Sequence, residues 1–421
     1  MYKILNKDIT KILLSIFFFL ITVFIINNEL VGKIIWWFPE LFGDFRTPIK
    51  WLECKNLGLN FYEDKDAFIK CAKREFNYGK IFLEIPYSSK LNFFYINILP
   101  YILIFFSIYF IFKIFNIQNY KSLFIIILLI LNPSSFLLFS SANIDLLIFV
   151  LLIFTILNRV YFINWFIYFF LTFVKIYPVV LFLNIFNENK DRSVKIITII
   201  ISSLFTLSLI YFYFNHSEYI YLLNNLSGAK AGYHYLFSLN SFAKIFKYLF
   251  DINYIILLFL SYVLFFYLSA ITCRKINSEL GNKNYKSLDT YSVEFRLFIV
   301  SSLLSVICFI CFSNFFHREV FLIGTLPLIL KLNLIFKNYP FKIIMNLFLI
   351  KLVYSFIYSY FNVNDGIQYI DNQRIFSTLF IIIFFLKSLI DYLLMIMITG
   401  LSLYCVKIFY NDFKNKILNF N

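Results

Sequence analysis

Apolar runs of roughly twenty residues recur from one end of the chain to the other, and a run of that length crosses the hydrocarbon core of a bilayer as a helix. They fall at 12–26, 93–115, 121–135, 143–158, 196–215, 252–272, 297–312, 319–336, 341–361 and 388–408. At that depth no water satisfies backbone N–H and C=O groups, so each run has to bond internally as a helix. The expected architecture is all-α and polytopic, a single integral membrane domain over 1–421 with about ten transmembrane helices.

Charge sets the expected orientation. The chain is 61% hydrophobic and 14% charged, with a net charge of +15. Such a basic balance would suit nucleic acid if it formed a patch on a soluble fold, which it does not. Instead Lys113, Lys121, Arg159, Lys190, Arg192, Lys195, Arg274, Lys275, Lys283, Lys286, Lys337, Lys342, Lys414 and Lys416 fall in loops on one side of the spans. Loops so enriched stay in the cytoplasm. The first run follows Lys3, Lys7 and Lys11 and ends in NNELVG without a small-residue cleavage site, so it reads as a retained anchor. Both termini are then cytoplasmic, in a membrane expected to be a bacterial plasma membrane.

That orientation leaves 28–92 as a large first extracytoplasmic loop and 216–251 as a second. In FYEDKDAFIKCAKREF, Phe61, Phe68, Cys71, Ala72 and Phe76 share one helical face, as in a helix lying on the bilayer or one packed on its own loop. Cys54 and Cys71 lie in this loop, on the oxidising side of a bacterial inner membrane. They are therefore candidates for a disulfide, two free thiols being the alternative. Residues 160–186 enter and leave on the cytoplasmic side, and Pro178 breaks the helix, so a re-entrant helical pair is expected there. Residues 375–385, ahead of Lys387, read as interfacial.

Ionisable residues at membrane depth cost about 2.5 to 3.5 kcal/mol each on insertion scales, which makes them candidates for function. Those read at such depth are Lys175, Asp145, and His317 with Arg318. The expected topology puts Asp145, His317 and Arg318 in the leaflet nearest Asp44, which follows the first span in PELFGDFR. A carboxylate near several cations suits deprotonation of a hydroxyl while an anionic group departs. At the outer face of a membrane the fitting leaving group is a lipid phosphate, held by Arg318, Lys175 and His317, with Tyr177 beside Lys175. Arg46, Asn143 and Asp145 would form the substrate rim.

Each residue also has a plainer role open to it. Asp44 could cap a helix or pair with Arg46, Asn143 and Asp145 could cap a span, Lys175 could snorkel, and Arg318 could pair with Glu319 at the headgroups. Asp64 to Asp66 (DKD) matches a metal and nucleotide-sugar motif but sits in a solvated charge run. Cys308 and Cys311, and the histidines at 216, 234 and 317, lack metal spacing, so no metal or cofactor is expected.

In order along the chain, GDFR, FNYGKIFLEIPY, NPSSFLLFSSANIDLLIFVLLIF, FVKIYPVVLF, SLNSFAKIF and SNFFHREVFLIGTLPLIL resemble the GT-C superfamily of polyprenyl-phosphate-sugar-dependent glycosyltransferases. The likeness is closest to glycosyltransferase family 87, the mannosyl- and arabinofuranosyltransferases. It implies a GT-C-like bundle and inverting transfer of a sugar from a polyprenyl-phosphate donor to a glycan or glycolipid hydroxyl. It also implies that Asp44, in the first outer loop, is the catalytic base. Ser140, Ser141 and Ala142 stand where that family carries an acidic and a basic residue before the Asn-x-Asp of Asn143 and Asp145. The rival readings are a transporter or flippase for lipid-linked sugars and an O-antigen polymerase or ligase.

Overall fold

Prolines and buried charges, rather than hydrophobicity alone, decide where the apolar runs become helices. The computed structural model describes residues 2–28, 41–60, 65–72, 83–115, 120–158, 160–175, 177–182, 200–201, 203–208, 237–250, 252–281, 289–310, 316–336, 339–364, 368–370, 373–375 and 377–418. In chain order the helices are α1 (Tyr2–Asn27), α2 (Gly43–Asn56), α3 (Lys65–Ala72), α4 (Ser89–Asn97), α5 (Leu99–Ile114), α6 (Tyr120–Ile130), α7 (Pro133–Ser141), α8 (Ile144–Leu157) and α9 (Tyr161–Val174). After a 3-10 turn at Tyr177–Leu181 come α10 (Leu239–Phe250), α11 (Tyr254–Gly281), α12 (Val293–Ile310), a second 3-10 helix at Phe316–Thr325, α13 (Leu326–Phe336) and α14 (Tyr339–Asn364). A short antiparallel pair, β1 (Gln368–Ile370) and β2 (Gln373–Ile375), precedes α15 (Thr378–Leu418).

Seven of these segments among the described residues are long and apolar enough to cross a bilayer, eight if the bent pair formed by α6 and α7 is one span. The chain is an integral membrane protein. The count is below the ten spans expected from sequence, for three reasons. The 196–215 run lies mostly outside the described residues. The 143–158 run yields α8 of 14 residues, about 21 Å long and short of the hydrocarbon core. The 121–135 run contains Pro133, which cannot donate to the helix ladder and starts α7, so α6 and α7 meet at 45°.

The bent pair of the described residues is therefore at Ser122–Ser141. In the stretch expected to be re-entrant, α9 stops at Lys175, whose backbone is extended (φ −143°, ψ 146°), and Pro178 sits inside the 3-10 turn; 183–186 lie outside the described residues. Of 375–385, expected to be interfacial, Ile375 ends β2 and 378–385 are the first turns of α15, a 41-residue helix of about 60 Å, roughly twice the hydrocarbon thickness. Lys387 reads as a boundary in the sequence, yet its charge is matched within the protein and the helix continues through it.

The chain divides into two compact units, 1–38 with 111–137 and 229–421, and 39–110 with 138–228. In the first, α10, α11, α12 and α14 pack on α15. Gly400 lets α15 approach α11 closely, because an added Cβ would stand 2.6 Å from Thr272 Cβ and 2.9 Å from the Ser269 carbonyl. The Tyr392 hydroxyl donates to the Ser261 carbonyl at 2.8 Å, and Ile245, Tyr358, Phe380, Ile383 and Phe384 form a core between α10, α14 and the first turns of α15. The faces of α1 and α11 carrying Phe17, Phe24, Ile255 and Phe259 are exposed, as lipid-facing surfaces are.

In the second unit α2 buries Phe45, Pro48, Ile49, Trp51, Leu52 and Cys54. Phe68 and Ala72 of α3 are buried too, so this face packs on protein, with α2 as its neighbour, rather than on a bilayer. Cys54 and Cys71 form a disulfide, their Cα atoms 6.1 Å apart, tying α2 to α3.

Gly400→Ala is expected to destabilise the detergent-solubilised protein by about 1 to 3 kcal/mol, read as a lower unfolding temperature, because the Ser269 backbone cannot move aside. Closing the 17-residue separation between Cys54 and Cys71 is worth about 3 kcal/mol by chain entropy. Reductant should therefore lower the unfolding temperature of the native chain and leave a Cys54→Ser, Cys71→Ser variant unmoved.

Candidate functional site

Two residues with left-handed backbones organise the site in the second unit. Phe42 (φ 57°) precedes α2 and Ala142 (φ 46°) precedes α8; neither is glycine, and each such residue costs on the order of 1 to 2 kcal/mol. The two turns are joined by a backbone hydrogen bond from the Phe42 N–H to the Ser140 carbonyl at 2.6 Å. Phe42 is buried edge-on against Tyr101, with ring centroids 5.1 Å apart. The consequence is that the N-termini of α2 and α8 lie beside one another.

Asp44 lies in the first turn of α2 and is half-buried. The Asn143 side-chain amide donates to its Oδ2 at 3.2 Å. The same Asn143 caps α8, its Oδ1 accepting the Asp145 N–H at 3.1 Å. Capping and contact with Asp44 are thus not alternatives: one end of the amide satisfies a helix N-terminus and the other holds the carboxylate.

Asp145 is fully buried in the first turn of α8 and turns the other way. Its Oδ1 accepts a bond from Lys175 Nζ at 2.6 Å and a second, short one from the Tyr177 hydroxyl. The ammonium also lies 5.7 Å from the centre of the Tyr177 ring. The extended backbone at Lys175 is what brings residues 175 and 177, on either side of the helix end, to one carboxylate. Lys175 side-chain exposure is 10%, so this is a buried ion pair and not a snorkelling lysine. Arg46 is half-buried on α2, two positions beyond Asp44.

Of the residues expected to act together, Asp44, Asn143, Asp145, Lys175 and Tyr177 form this connected group. His317 and Arg318 belong to the other unit, at the start of the Phe316–Thr325 3-10 helix, where Arg318 is half-buried; the His317 side chain lies outside the described residues. His216, His234 and Cys311 lie outside them as well. Among the described residues no three His, Cys, Asp or Glu side chains gather as metal ligands would.

Sequence reasoning missed a second polar cluster. In the first unit Glu319, Lys351, Lys387 and Asp391 close a ring of ion pairs in which each lysine touches both acids. Lys351 to Glu319 is 2.9 Å, Lys387 to Glu319 3.3 Å and Lys387 to Asp391 2.6 Å, with Lys351 to Asp391 shorter still. All four are buried, and the ring is electrically neutral. Lys351 Nζ also lies 5.2 Å from the Phe237 ring centre, and Lys387 Nζ 5.4 Å from that of Tyr358. Beside Glu319 and Lys351 is a cavity of about 20 Å³ lined by Asn132, Ser134, Ser135 and Ser355, space for about one water. The signal for this ring was present in the sequence: Lys351 lies near the middle of an apolar run, and Lys387 and Asp391 are four apart, one turn of helix.

No family model, curated protein or solved structure matches the chain.

Removing one member of a buried pair leaves an uncompensated charge, at a cost of about 3 to 5 kcal/mol. Asp145→Asn should therefore lower thermal stability by that amount, and the pair Asp145→Asn, Lys175→Met should recover most of the loss in the same unfolding assay.

Proposed function

We propose that the chain is a membrane glycosyltransferase that moves a sugar from a polyprenyl-phosphate donor to a hydroxyl on the extracytoplasmic face. The observation that carries this reading is the Asp44–Asn143 bond, made between two helix N-termini that are each turned by a left-handed residue. Costly backbone conformations kept beside a carboxylate are what a site with a defined task contains. The family resemblance of GDFR and the Asn-x-Asp stretch supports the assignment of Asp44 as base.

The proposed reaction follows from the parts. Asp44 takes the proton of the acceptor hydroxyl, whose oxygen forms a bond to the anomeric carbon from the face opposite the phosphate. The carbon–oxygen bond to phosphate breaks as the electron pair leaves with the lipid phosphate, so the sugar inverts. Asn143 orients Asp44. Lys175, with N–H groups beyond the one given to Asp145, supplies a donor for the departing phosphate, and Asp145, which also accepts the Tyr177 hydroxyl, positions it. The roles expected for Arg318 and His317 on the donor phosphate rest on the charge and order of the sequence, and both residues belong to the other unit. The polyprenyl tail would occupy the apolar surroundings of the spans.

Asp44→Asn is expected to reduce transfer from a synthetic prenyl-phosphate sugar by about 10²- to 10⁴-fold, the usual worth of a general base, with elution and unfolding temperature of the purified protein unchanged. Transfer that persists in this variant removes Asp44 as the base, and absence of transfer by the native chain removes the enzyme reading. Altered flipping of a lipid-linked sugar with transfer intact would favour the transporter instead, and activity only on a pyrophosphate-linked oligosaccharide would favour the polymerase.

A further inference from the structure

The 3-10 helix at Phe316–Thr325 runs for ten residues. Winding of this kind has poorer hydrogen-bond geometry than an α-helix and seldom persists beyond three or four residues. Part of the reason is local. Pro327, near the start of α13, has no N–H to give the Ile323 carbonyl, which disfavours α geometry across 323–327. Residues 316–322 lie beyond its reach, and FHREVFL contains neither proline nor glycine.

Two tertiary attachments bracket residues 319–324 of the segment. At one end Glu319 is bound by both lysines of the buried ring, on α14 and α15. At the other, Gly324 lies against α12 so closely that a Cβ there would be 2.1 Å from Ser301 Oγ and 3.2 Å from Leu297 Cδ1. Five residues separate the attachments. They span about 10 Å with a 3-10 rise of 2.0 Å per residue, but about 7.5 Å with the α-helical rise of 1.5 Å. An α-helix would also turn about 100° less over that stretch, so Glu319 could not meet the ring while Gly324 kept its place.

We infer that the Glu319–Lys351–Lys387–Asp391 ring is a clamp that holds this segment in 3-10 winding and so fixes the height and direction of the adjoining Arg318. Glu319 acts as a positioning residue and makes no contact with substrate. The clamp rests on the glycosyl-transfer reading only for what Arg318 and His317 would bind.

The test places spin-labelled residues at Arg318 and at Leu334, which is exposed on α13, and measures their separation in the full chain in nanodiscs, with no sugar donor present. Glu319→Gln alone leaves two lysines facing one acid and is expected to be unstable; Glu319→Gln with Lys351→Met keeps the balance and retains the Lys387–Asp391 pair. In the double variant the 318-to-334 distance distribution should move by several ångströms, as the segment shortens by about 2.5 Å and residue 318 turns. Its unfolding temperature should exceed that of the single variant. An unchanged distance in a folded double variant overturns the clamp. So does a double variant less stable than the single one, because a device built of charges is relieved when they are removed in balance. A shifted distance with an unaltered KM for the prenyl-phosphate sugar supports the clamp and removes Arg318 and His317 from the donor site, separating the two ideas.

Discussion

An ionised side chain taken into an apolar helical bundle has to bring its counter-charge with it, and two polar clusters among the described residues are answers to that constraint. The Glu319–Lys351–Lys387–Asp391 ring is closed: two acids, two bases and four ion pairs drawn from the second 3-10 helix, α14 and α15. Because the charges cancel in place, α15 passes through Lys387 and Asp391 without a break and extends to 41 residues. Interhelical packing then follows from that long axis, with Gly400 permitting close approach to α11 and the Ile245, Tyr358 and Phe384 core filling the space beside its first turns.

The smaller cluster distributes its polar groups differently. Asp145 receives an ammonium and a phenol, whereas Asp44 receives the neutral amide of Asn143. The arrangement depends on Phe42 and Ala142 adopting a left-handed backbone, a cost offset by the Phe42 N–H to Ser140 bond and by burial of the Phe42 ring. Small Ser140, Ser141 and Ala142 suit a turn this tight.

Legibility varied with how local the cause was. The long spans could be read because twenty apolar residues have no other way to satisfy their backbone in a bilayer. The capping of α8 by Asn143 was readable for a similar reason, since the side chain bonds a backbone group two residues away. Pro133 was a sufficient signal for the bend between α6 and α7, yet the apolar residues around it masked that signal. Lys387 misled, because a lysine in an apolar run marks a boundary only when its charge has to reach water.

From its sequence alone the chain determined that it is helical and built for a membrane, because backbone satisfaction and hydrophobic length are properties of contiguous residues. Tertiary structure alone decided which charges meet. Asp44 and Asn143 are 99 positions apart, Lys175 and Asp145 are 30, and Glu319 and Lys387 are 68. Coulombic and hydrogen-bond partners over such separations are set by how helices pack, and packing depends on side-chain shape across the whole bundle, which no local pattern encodes.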